Sequence, residues 1–375
     1  MKPLKTIINL ELTSKCNRSC IICPHGNPEN KIHPEFIKIE TLHLLLSQIF
    51  ESLKPGLTIK EIINSGYGES LLHPQISEIF QLYKNFKAKY NSYVEKPIII
   101  SVVTNGSMAT YERIKDISES LDILKFSFPT SNSEKYGKIM LNSEKHGKKI
   151  LETAMNNLKH CMELNKQNIL KELRIHISPP CKETYCDFPT TINDLTLMAS
   201  KVNLSKINLV IFPTTSNRGG DIRASSFIND NYRKYIKEYK NKKVNGVLIN
   251  FLSELNVFYD NYFEVFKLLG NNFPCIWKNG SIAINVRGDY RFCINDWATK
   301  IKRGSIESLT LLDVYKKLKE EEAEEICNLC NQNPYSMSTG FAGKLYSFLS
   351  RKIRKRSYYH FAIKRVKKFI FSVTN

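Results

Sequence analysis

The sequence predicts an α/β protein built on a partial (βα)6, TIM-like barrel, followed by a small cysteine-bearing module and a basic helical tail. Between residues 7 and 213, short apolar runs rich in β-branched residues alternate six times with amphipathic segments. This alternation is typical of parallel strands that are buried on both faces and connected by covering helices. The 375 residues are enough for such a barrel and one smaller unit.

Each element of the barrel can be assigned to a stretch of sequence. The predicted strands are residues 7–12, 59–64, 97–103, 123–128, 173–177 and 207–212. The clearest helical segments, with apolar residues at i, i+3 and i+4 spacing, are residues 36–53, 76–90 and 150–164. The loops that follow the strands of a parallel barrel meet at one face, where active sites lie. Functional residues are therefore expected in those loops.

The whole chain divides into four predicted parts. The barrel is residues 1–218, and a polar connector follows at 219–270. A compact module is residues 271–335, and the basic tail is 336–375. The compact module contains two extended runs on either side of Gly288 and Asp289, a pair that is typical of a hairpin turn.

Composition excludes several classes of protein. With 42% hydrophobic and 24% charged residues, the chain is neither collagen-like nor broadly disordered. No run approaches the length of about eighteen apolar residues that a membrane span needs. The first residues also lack an apolar segment followed by a small-residue cleavage site. We therefore expect a cytoplasmic protein, in which clustered cysteines are more often metal ligands than disulfides.

Three of the ten cysteines form a tight cluster after the first predicted strand. Cys16, Cys20 and Cys23 have the spacing C-x3-C-x2-C, so their thiolates can bind one metal centre. A structural zinc site uses four ligands, whereas a [4Fe-4S] cluster on three cysteines leaves one iron open to a substrate or cofactor. An incomplete zinc site and chance spacing are the alternatives.

The segment around this cluster, LELTSKCNRSCIICPHG, resembles the signature of the radical S-adenosylmethionine (radical SAM) enzymes. The resemblance implies that the amino and carboxylate groups of SAM chelate the open iron of a [4Fe-4S] cluster. It further implies that an electron from the cluster cleaves SAM to methionine and a 5′-deoxyadenosyl radical, which removes hydrogen from a substrate. A flavodoxin or ferredoxin is the expected reducing partner.

Other segments match the same family at the ends of the predicted strands. The residues that the resemblance implies to contact SAM are Ile22, Gly68, Glu69, Thr104, Asn105 and Ser127. Gly68 and Glu69 stand where the family pattern is Gly-Gly-Glu-Pro, which holds the ammonium group of SAM. Tyr67 and Ser70 depart from that pattern, and Ile22 occupies a position that is often aromatic in the family.

A second set of cysteines lies nearer the C-terminal end and consists of Cys275, Cys293, Cys327 and Cys330. Four thiolates make a closed site, and thiolate ligation alone does not distinguish zinc from a fully ligated iron–sulfur cluster. The arrangement is similar to the Twitch form of the SPASM extension of radical SAM enzymes. That similarity implies one auxiliary [4Fe-4S] cluster, which would serve as an electron acceptor or relay.

Three further residues are candidates near the expected active face. Arg218 lies in the segment NRGGD, which resembles a stretch at the barrel exit in this family, although a surface turn is the alternative. Cys181 and Cys186 follow the fifth predicted strand, where a thiol could return hydrogen to a product radical. Incidental loop cysteines are the more ordinary interpretation. Cys161 lies in a helical pattern and is expected to be a packing residue.

The formal net charge of +19 is concentrated at the end of the chain. No acidic residue follows Glu325, and ten Lys or Arg lie between Lys344 and Lys368. Helical spacing gives residues 344–375 an apolar stripe with cations at its edges, as in helices that bind anionic membrane surfaces. A peripheral position on the inner face of the membrane is therefore expected. RNA binding and a solvated tail are the alternatives.

These features favour a radical SAM oxidoreductase that oxidises or epimerises a carbohydrate-like substrate, either a small molecule or a lipid-linked sugar. The carbohydrate substrate is implied by resemblance to a cyclitol-oxidising member with one auxiliary cluster. A peptide-modifying maturase is a second hypothesis, but the barrel begins by residue 7 and leaves no room before it for a peptide-recognition domain. RNA modification led by the tail is a third hypothesis, and a non-enzymatic protein with two zinc sites is a fourth.

Overall fold

The computed structural model describes most of the predicted barrel and part of the module that follows it. The described residues are 4–141, 143–177, 187–211, 235, 237–253 and 281–320. The strands in these ranges are β1 (Leu4–Leu10), β2 (Leu57–Asn64), β3 (Ile99–Thr104), β4 (Ile123–Ser127), β5 (Glu172–Ile177), β6 (Lys206–Ile211), β7 (Lys243–Val244), β8 (Val247–Ser253), β9 (Ser281–Ile284), β10 (Asp289–Arg291) and β11 (Lys302–Ser305). The helices are α1 (Ile39–Glu51), α2 (Ile76–Tyr90), α3 (Tyr111–Ile117), α4 (Ser133–Leu141), α5 (Gly147–Lys166), α6 (Phe188–Lys201) and α7 (Leu311–Glu320).

All the strands of the described residues belong to one sheet, in the order β11-β10-β9-β1-β2-β3-β4-β5-β6-β8-β7. From β1 to β6, each strand pairs in parallel with the next strand along the chain. Within the described residues, one or two α-helices lie between each of these strands and the next. The predicted α/β fold with a partial parallel barrel is therefore confirmed.

The hydrophobic core lies between the sheet and its covering helices. In β3, Ile100 and Val102 are fully buried, as the β-branched run predicts. The amphipathic pattern of α2 buries Ile79 and Tyr83 against the sheet. Cys161 of α5 is fully buried, and its Sγ atom lies 3.8 Å from the carbonyl oxygen of Ala109, in keeping with the packing role expected from sequence.

Strand β8 lies inside the segment predicted as a connector, and the sequence pattern did not predict it. It pairs in parallel with β6 and adds a seventh parallel strand to that side of the barrel. Val247 and Ile249 are buried, while Asn250 donates a hydrogen bond to Asn208 of β6 at 2.8 Å. The Lys- and Asn-rich residues before this strand obscure its short alternating pattern.

The C-terminal strands extend the same sheet from its other side. β9 pairs in parallel with β1, and β10 pairs antiparallel with both β9 and β11. Gly288 has a φ of +79°, which glycine adopts readily, and Asp289 is already the first residue of β10. The predicted hairpin is thus present, with its turn formed by residues 285–288. Among the described residues, no helix has the length and apolar character needed to cross a membrane.

Candidate functional site

The first cysteine set lies in the loop that follows β1, at the carboxyl ends of the parallel strands. Residues 11–26 of this connection are called the cysteine loop below. The amide of Cys23 donates to the carbonyl of Cys20 at 2.9 Å, and the amide of Gly26 donates to the carbonyl of Cys23 at 2.9 Å. A Cβ atom on Gly26 would lie 2.1 Å from the Cys20 carbonyl oxygen, so only glycine allows this tight turn.

The end of α4 holds the middle of the cysteine loop. The amides of Ser19 and Ile21 donate to the carbonyls of Met140 and Ile139 at 3.1 and 3.0 Å. The Ser19 hydroxyl also donates to the carbonyl of Leu141 at 3.0 Å. The last carbonyls of an α-helix lack partners within the helix, so the loop satisfies groups that would otherwise need another donor. The loop conformation between the cysteines is therefore tied to the position of α4.

The loop after β2 holds the start of the cysteine loop through direct backbone contact. The amide of Glu69 donates to the carbonyl of Lys15 at 2.9 Å, next to Cys16. A Cβ atom on Gly68 would lie 1.9 Å from the carbonyl oxygen of Thr13. A side chain at position 68 would therefore push the two loops apart.

Glu69 connects the loops after β2 and β3. One carboxylate oxygen accepts hydrogen bonds from the Thr104 hydroxyl at 2.8 Å and the Leu71 amide at 3.3 Å. The other accepts from the Asn105 amide at 2.6 Å. Glu69 is 2% exposed, and this burial raises its pKa above the usual range although the hydrogen bonds oppose the shift. The structure thus brings Glu69, Thr104 and Asn105 together.

Two polar residues that sequence reasoning did not select lie beside Cys16 and Asn105. Asn105 Nδ2 is 3.8 Å from Cys16 Sγ and 3.1 Å from Asn17 Oδ1. Asn17 in turn donates to the Ser107 hydroxyl at 2.9 Å. Asn17 and Ser107 could have been selected from the sequence, because both are polar residues in the loops that follow β1 and β3.

The three thiols are close enough to influence one another's ionisation. Burial, together with the charges of Glu69 and Cys23, raises the pKa of Cys16 to about 12. Burial also raises the pKa of Cys20, and the neighbouring thiols Cys23 and Cys16 add to this rise. Three thiolates therefore repel one another in this loop unless a positively charged centre binds them.

Within the described residues, no three His, Cys, Asp or Glu side chains converge closely enough to hold one metal ion.

Unpartnered polar atoms around the cysteine loop also indicate that a polar group belongs there. Arg18 Nε, His25 Nε2 and the hydroxyl of Tyr136 are buried without a hydrogen-bond partner. Tyr136 is fully buried in α4, and burial raises its pKa, with smaller effects from Arg18 and Cys20. Buried polar atoms without partners are uncommon, and each is expected to bond a ligand, an ion or a water molecule. The residues present therefore fit a cluster with a bound polar ligand.

Below this site, the inner face of the barrel carries charged and polar side chains. In β4, Leu124 and Phe126 belong to the core under the helices, so Lys125 and Ser127 point to the opposite face. Lys125 forms a 2.6 Å ion pair with Glu61 of β2, and both side chains are mostly buried. Charged residues inside apolar strands such as ILKFS are the sequence signal for this polar interior.

His176 lies in register with Ser127 on the neighbouring strand β5. Burial and the positive charges of Lys125 and Arg174 lower the pKa of His176 to about 3. Its imidazole is therefore neutral at physiological pH and can both donate and accept a hydrogen bond. Ile22 lies half-buried in the cysteine loop.

The second cysteine set is only partly described. Cys293 is half-buried and lies two residues after Arg291, the last residue of β10. The residues that lie outside the described part of the chain are Cys181, Cys186, Arg218, Cys275, Cys327, Cys330 and the tail 344–375. Their assignments stay predictions.

No protein-family model matches the chain. Two curated relatives, each described as a UPF0026 protein of Helicobacter pylori, are 26% identical to it over 144 and 140 residues. These matches cover 38% and 37% of this chain. The chain thus spans less than half the length of these relatives, 43% and 42%.

Solved structures resemble the chain over most of its length. SuiB of Streptococcus suis, bound to the precursor peptide SuiA, matches 89% of this chain and 72% of its own, with a TM-score of 0.56 at 14% identity. The anSMEcpe structure with bound AdoMet and the Cp18Cys peptide matches 95% and 87%, with a TM-score of 0.56 at 15% identity. These neighbours are radical SAM enzymes with SPASM or Twitch domains. The chain has the fold of the radical SAM enzymes.

This result confirms the family resemblance at the level of fold. The antiparallel strands β9 to β11 are consistent with the auxiliary domain of radical SAM enzymes. BtrN in complex with AdoMet and 2-DOIA matches with a TM-score of 0.47, which is too low to carry an argument for this chain.

Proposed function

We propose that this protein is a radical SAM enzyme that binds a [4Fe-4S] cluster through Cys16, Cys20 and Cys23. One observation carries the proposal: three half-buried thiols, close enough to repel one another when ionised, lie at the carboxyl edge of a parallel barrel with the radical SAM fold. Unpartnered buried polar atoms beside the thiols support a ligand at the same place.

When bound, the cluster supplies the electron that cleaves SAM and so starts hydrogen abstraction from the substrate. Gly68 keeps the loop after β2 in contact with the cysteine loop, where its backbone and Glu69 can receive the ammonium group of SAM. Thr104 and Asn105 hold the Glu69 carboxylate in place. Ile22 and Ser127 are assigned to the adenine and ribose sides of SAM.

We further propose one auxiliary [4Fe-4S] cluster on Cys275, Cys293, Cys327 and Cys330, with an electron-accepting or relaying role. The position of Cys293 supports this proposal, because β10 is joined through β9 to β1, whose loop carries the first cysteine set.

For the substrate, we propose a carbohydrate-like molecule, small or lipid-linked, that is oxidised or epimerised. The polar barrel interior supports this proposal, because charged and polar side chains such as Lys125, Glu61 and His176 suit a hydroxyl-rich ligand better than an apolar one. Peptide modification is the second candidate, favoured by the structural neighbours that bind peptides. Arg218, Cys181 and Cys186 remain candidates for contacts to either substrate.

We propose a flavodoxin or ferredoxin as the reducing partner. We also propose that the protein is located in the cytoplasm. The basic tail, residues 344–375, is proposed to bind an anionic membrane surface, with RNA as the alternative ligand.

Iron counting after anaerobic reconstitution tests both cluster assignments. The wild-type protein should hold about eight irons, and removal of Cys327 and Cys330 should leave about four. Replacing Cys16, Cys20 and Cys23 by Ala should also leave about four and abolish SAM-dependent release of 5′-deoxyadenosine. Cys161→Ala is the matched control and should retain all the iron. Full iron content in the triple variant would contradict the proposal.

The substrate class is tested by adding candidates to the reduced enzyme with SAM. A panel of cyclitols and sugars should raise 5′-deoxyadenosine formation and yield ketone or epimer products. If cysteine-containing peptides stimulate the reaction and polyols do not, the carbohydrate proposal is wrong and the peptide alternative is supported.

A further inference from the structure

A buried ion pair lies where the cysteine loop meets the C-terminal strands. Glu11, at the start of the cysteine loop, forms a 2.6 Å ion pair with Arg291 of β10, and their side chains are 3% and 7% exposed. Arg291 Nε also donates to the Thr299 hydroxyl at 3.1 Å. Buried ion pairs contribute little net stability, but loss of one partner leaves a buried charge uncompensated. The pair therefore links the cysteine loop directly to β10.

Tyr67 lies directly on this ion pair. Its amide donates to Glu11 Oε1 at 2.9 Å, and the Arg291 guanidinium lies 5.4 Å from the centre of its ring. A cation over an aromatic face is attracted by the ring's electron density. Tyr67 is 5% exposed, so its ring is largely shielded from bulk solvent.

The ring of Tyr67 reaches the segment that carries Cys293. Its hydroxyl donates to the carbonyl of Ile294, the residue after Cys293. The ring also packs edge-on against Trp297, with 6.3 Å between ring centroids. Where the radical SAM pattern has glycine, this chain therefore has an aromatic side chain that contacts the C-terminal module.

The residues that follow Tyr67 in the chain belong to the loop that is proposed to bind SAM. Gly68 and Glu69 follow it directly, and the Glu69 amide is bonded to Lys15, next to Cys16. One short stretch of backbone thus touches the cysteine loop on one side and the Cys293 segment on the other. Movement of this stretch on ligand binding would be transmitted to both.

We propose that Tyr67 is a positioning residue that couples SAM binding to the order of residues 293–299. The inference rests on the proposed function, because it requires SAM to bind beside Gly68 and Glu69. SAM fixes the backbone of residues 66–71, and Tyr67 then holds the Ile294 carbonyl and the Trp297 ring. Coupling of this kind is reciprocal, so docking of the Cys293 segment also strengthens SAM binding.

Hydrogen exchange on the anaerobically reconstituted protein tests this coupling. In the wild type, SAM should slow amide exchange about fivefold or more in both 66–71 and 293–299. Tyr67→Phe removes only the hydroxyl contact, and Tyr67→Leu removes the ring contacts as well. The slowing of amide exchange by SAM in residues 293–299 should be smaller in Tyr67→Phe and absent in Tyr67→Leu. The slowing in residues 66–71 should persist in both variants.

A matched control and an independent measurement complete the test. Tyr90 is another buried tyrosine whose hydroxyl bonds a backbone amide, that of Ile59, away from the cysteine loop. Tyr90→Phe should therefore respond to SAM as the wild type does. By reciprocity, equilibrium dialysis should show about fivefold weaker SAM binding to Tyr67→Leu.

The outcomes separate this inference from the proposed function. Wild-type protein that binds no SAM would overturn both. Wild-type protein that binds SAM and protects 66–71 but not 293–299 would overturn the coupling alone. The coupling is equally wrong if 293–299 is protected to the same extent in Tyr67→Leu.

Discussion

At the scale of single residues, Gly68 is the most constrained position of the candidate site. Substitution by alanine would place Cβ 1.9 Å from the Thr13 carbonyl oxygen, and backbone atoms cannot yield as a flexible side chain can. Because such overpacking costs roughly 1–3 kcal/mol, we expect Gly68→Ala to lower stability and iron content together. Thermal unfolding and iron analysis after reconstitution measure the two effects.

Gly56 provides the matched control for that substitution. Its φ is +86°, and no atom lies within 4 Å of the position that an added Cβ would occupy. Gly56→Ala should therefore cost roughly 1–2 kcal/mol of backbone strain and leave the iron content unchanged. Loss of iron in both variants would show that the effect is general destabilisation and not separation of the two loops.

His176 makes stability depend on pH. Its pKa is about 3 in the folded protein and about 6.5 when unfolded, so the unfolded state binds the proton first as pH falls. Stability should therefore rise with pH between about 3 and 6.5, by up to about 1.4 kcal/mol per pH unit. The free energy of unfolding, measured by urea unfolding at several pH values, should change less with pH in His176→Asn than in the wild type. His43→Asn, at an exposed position of α1, should keep the wild-type dependence on pH.

At the scale of secondary-structure elements, the position of α4 decides the shape of the cysteine loop. Gly147, the first residue of α5, lies against α4, and a Cβ atom there would be 2.0 Å from the Ser133 carbonyl oxygen. Gly147→Ala should displace α4, release the hydrogen bonds to Ser19 and Ile21, and expose Cys20. We expect faster alkylation of Cys20 in iron-free protein, measured by mass spectrometry.

The exposed neighbour Lys148 offers a control on the same helix. Lys148→Ala should leave the alkylation rate of Cys20 unchanged, because its side chain is exposed to solvent. Equal rates in Gly147→Ala and the wild type would mean that α4 does not set the loop conformation.

The bounds of two helices show which features can be predicted from sequence and which cannot. The periodicity of α2 predicts its bounds, residues 76–90, because its apolar face packs on the sheet along its whole length. The predicted helix 36–53 begins too early, since Phe36 forms a β-bridge with Thr13 that keeps the chain extended up to α1. Pairing with a distant residue is a tertiary effect that local periodicity does not contain.

The candidate site likewise has one part that the sequence predicts and another part that depends on the fold. The spacing of Cys16, Cys20 and Cys23 is local, so the motif indicates a shared metal centre from sequence alone. The ion pair between Glu11 and Arg291 joins residues that lie far apart in the chain, and no spacing rule relates them. Sequence thus indicated the chemistry, while the contacts that hold the site together required the fold.

At the scale of the whole molecule, the basic tail should act separately from the barrel chemistry. Deletion of residues 344–375 removes ten Lys or Arg and should abolish co-sedimentation with phosphatidylglycerol vesicles at low salt. Vesicles of phosphatidylcholine alone should bind neither form. Iron content should be unchanged. Retention of vesicle binding after the deletion would contradict the membrane assignment, and salt-sensitive RNA binding lost with the tail would support the alternative.

The pairing of β1 with β9 has a consequence for biosynthesis. Ile7 pairs with Ser281, so one edge of the first strand has no partner until most of the chain has left the ribosome. At typical elongation rates this interval lasts roughly 10 to 60 s. An open strand edge is a template for aggregation during that time. Nascent chains of this protein should therefore depend on chaperones until the hairpin emerges.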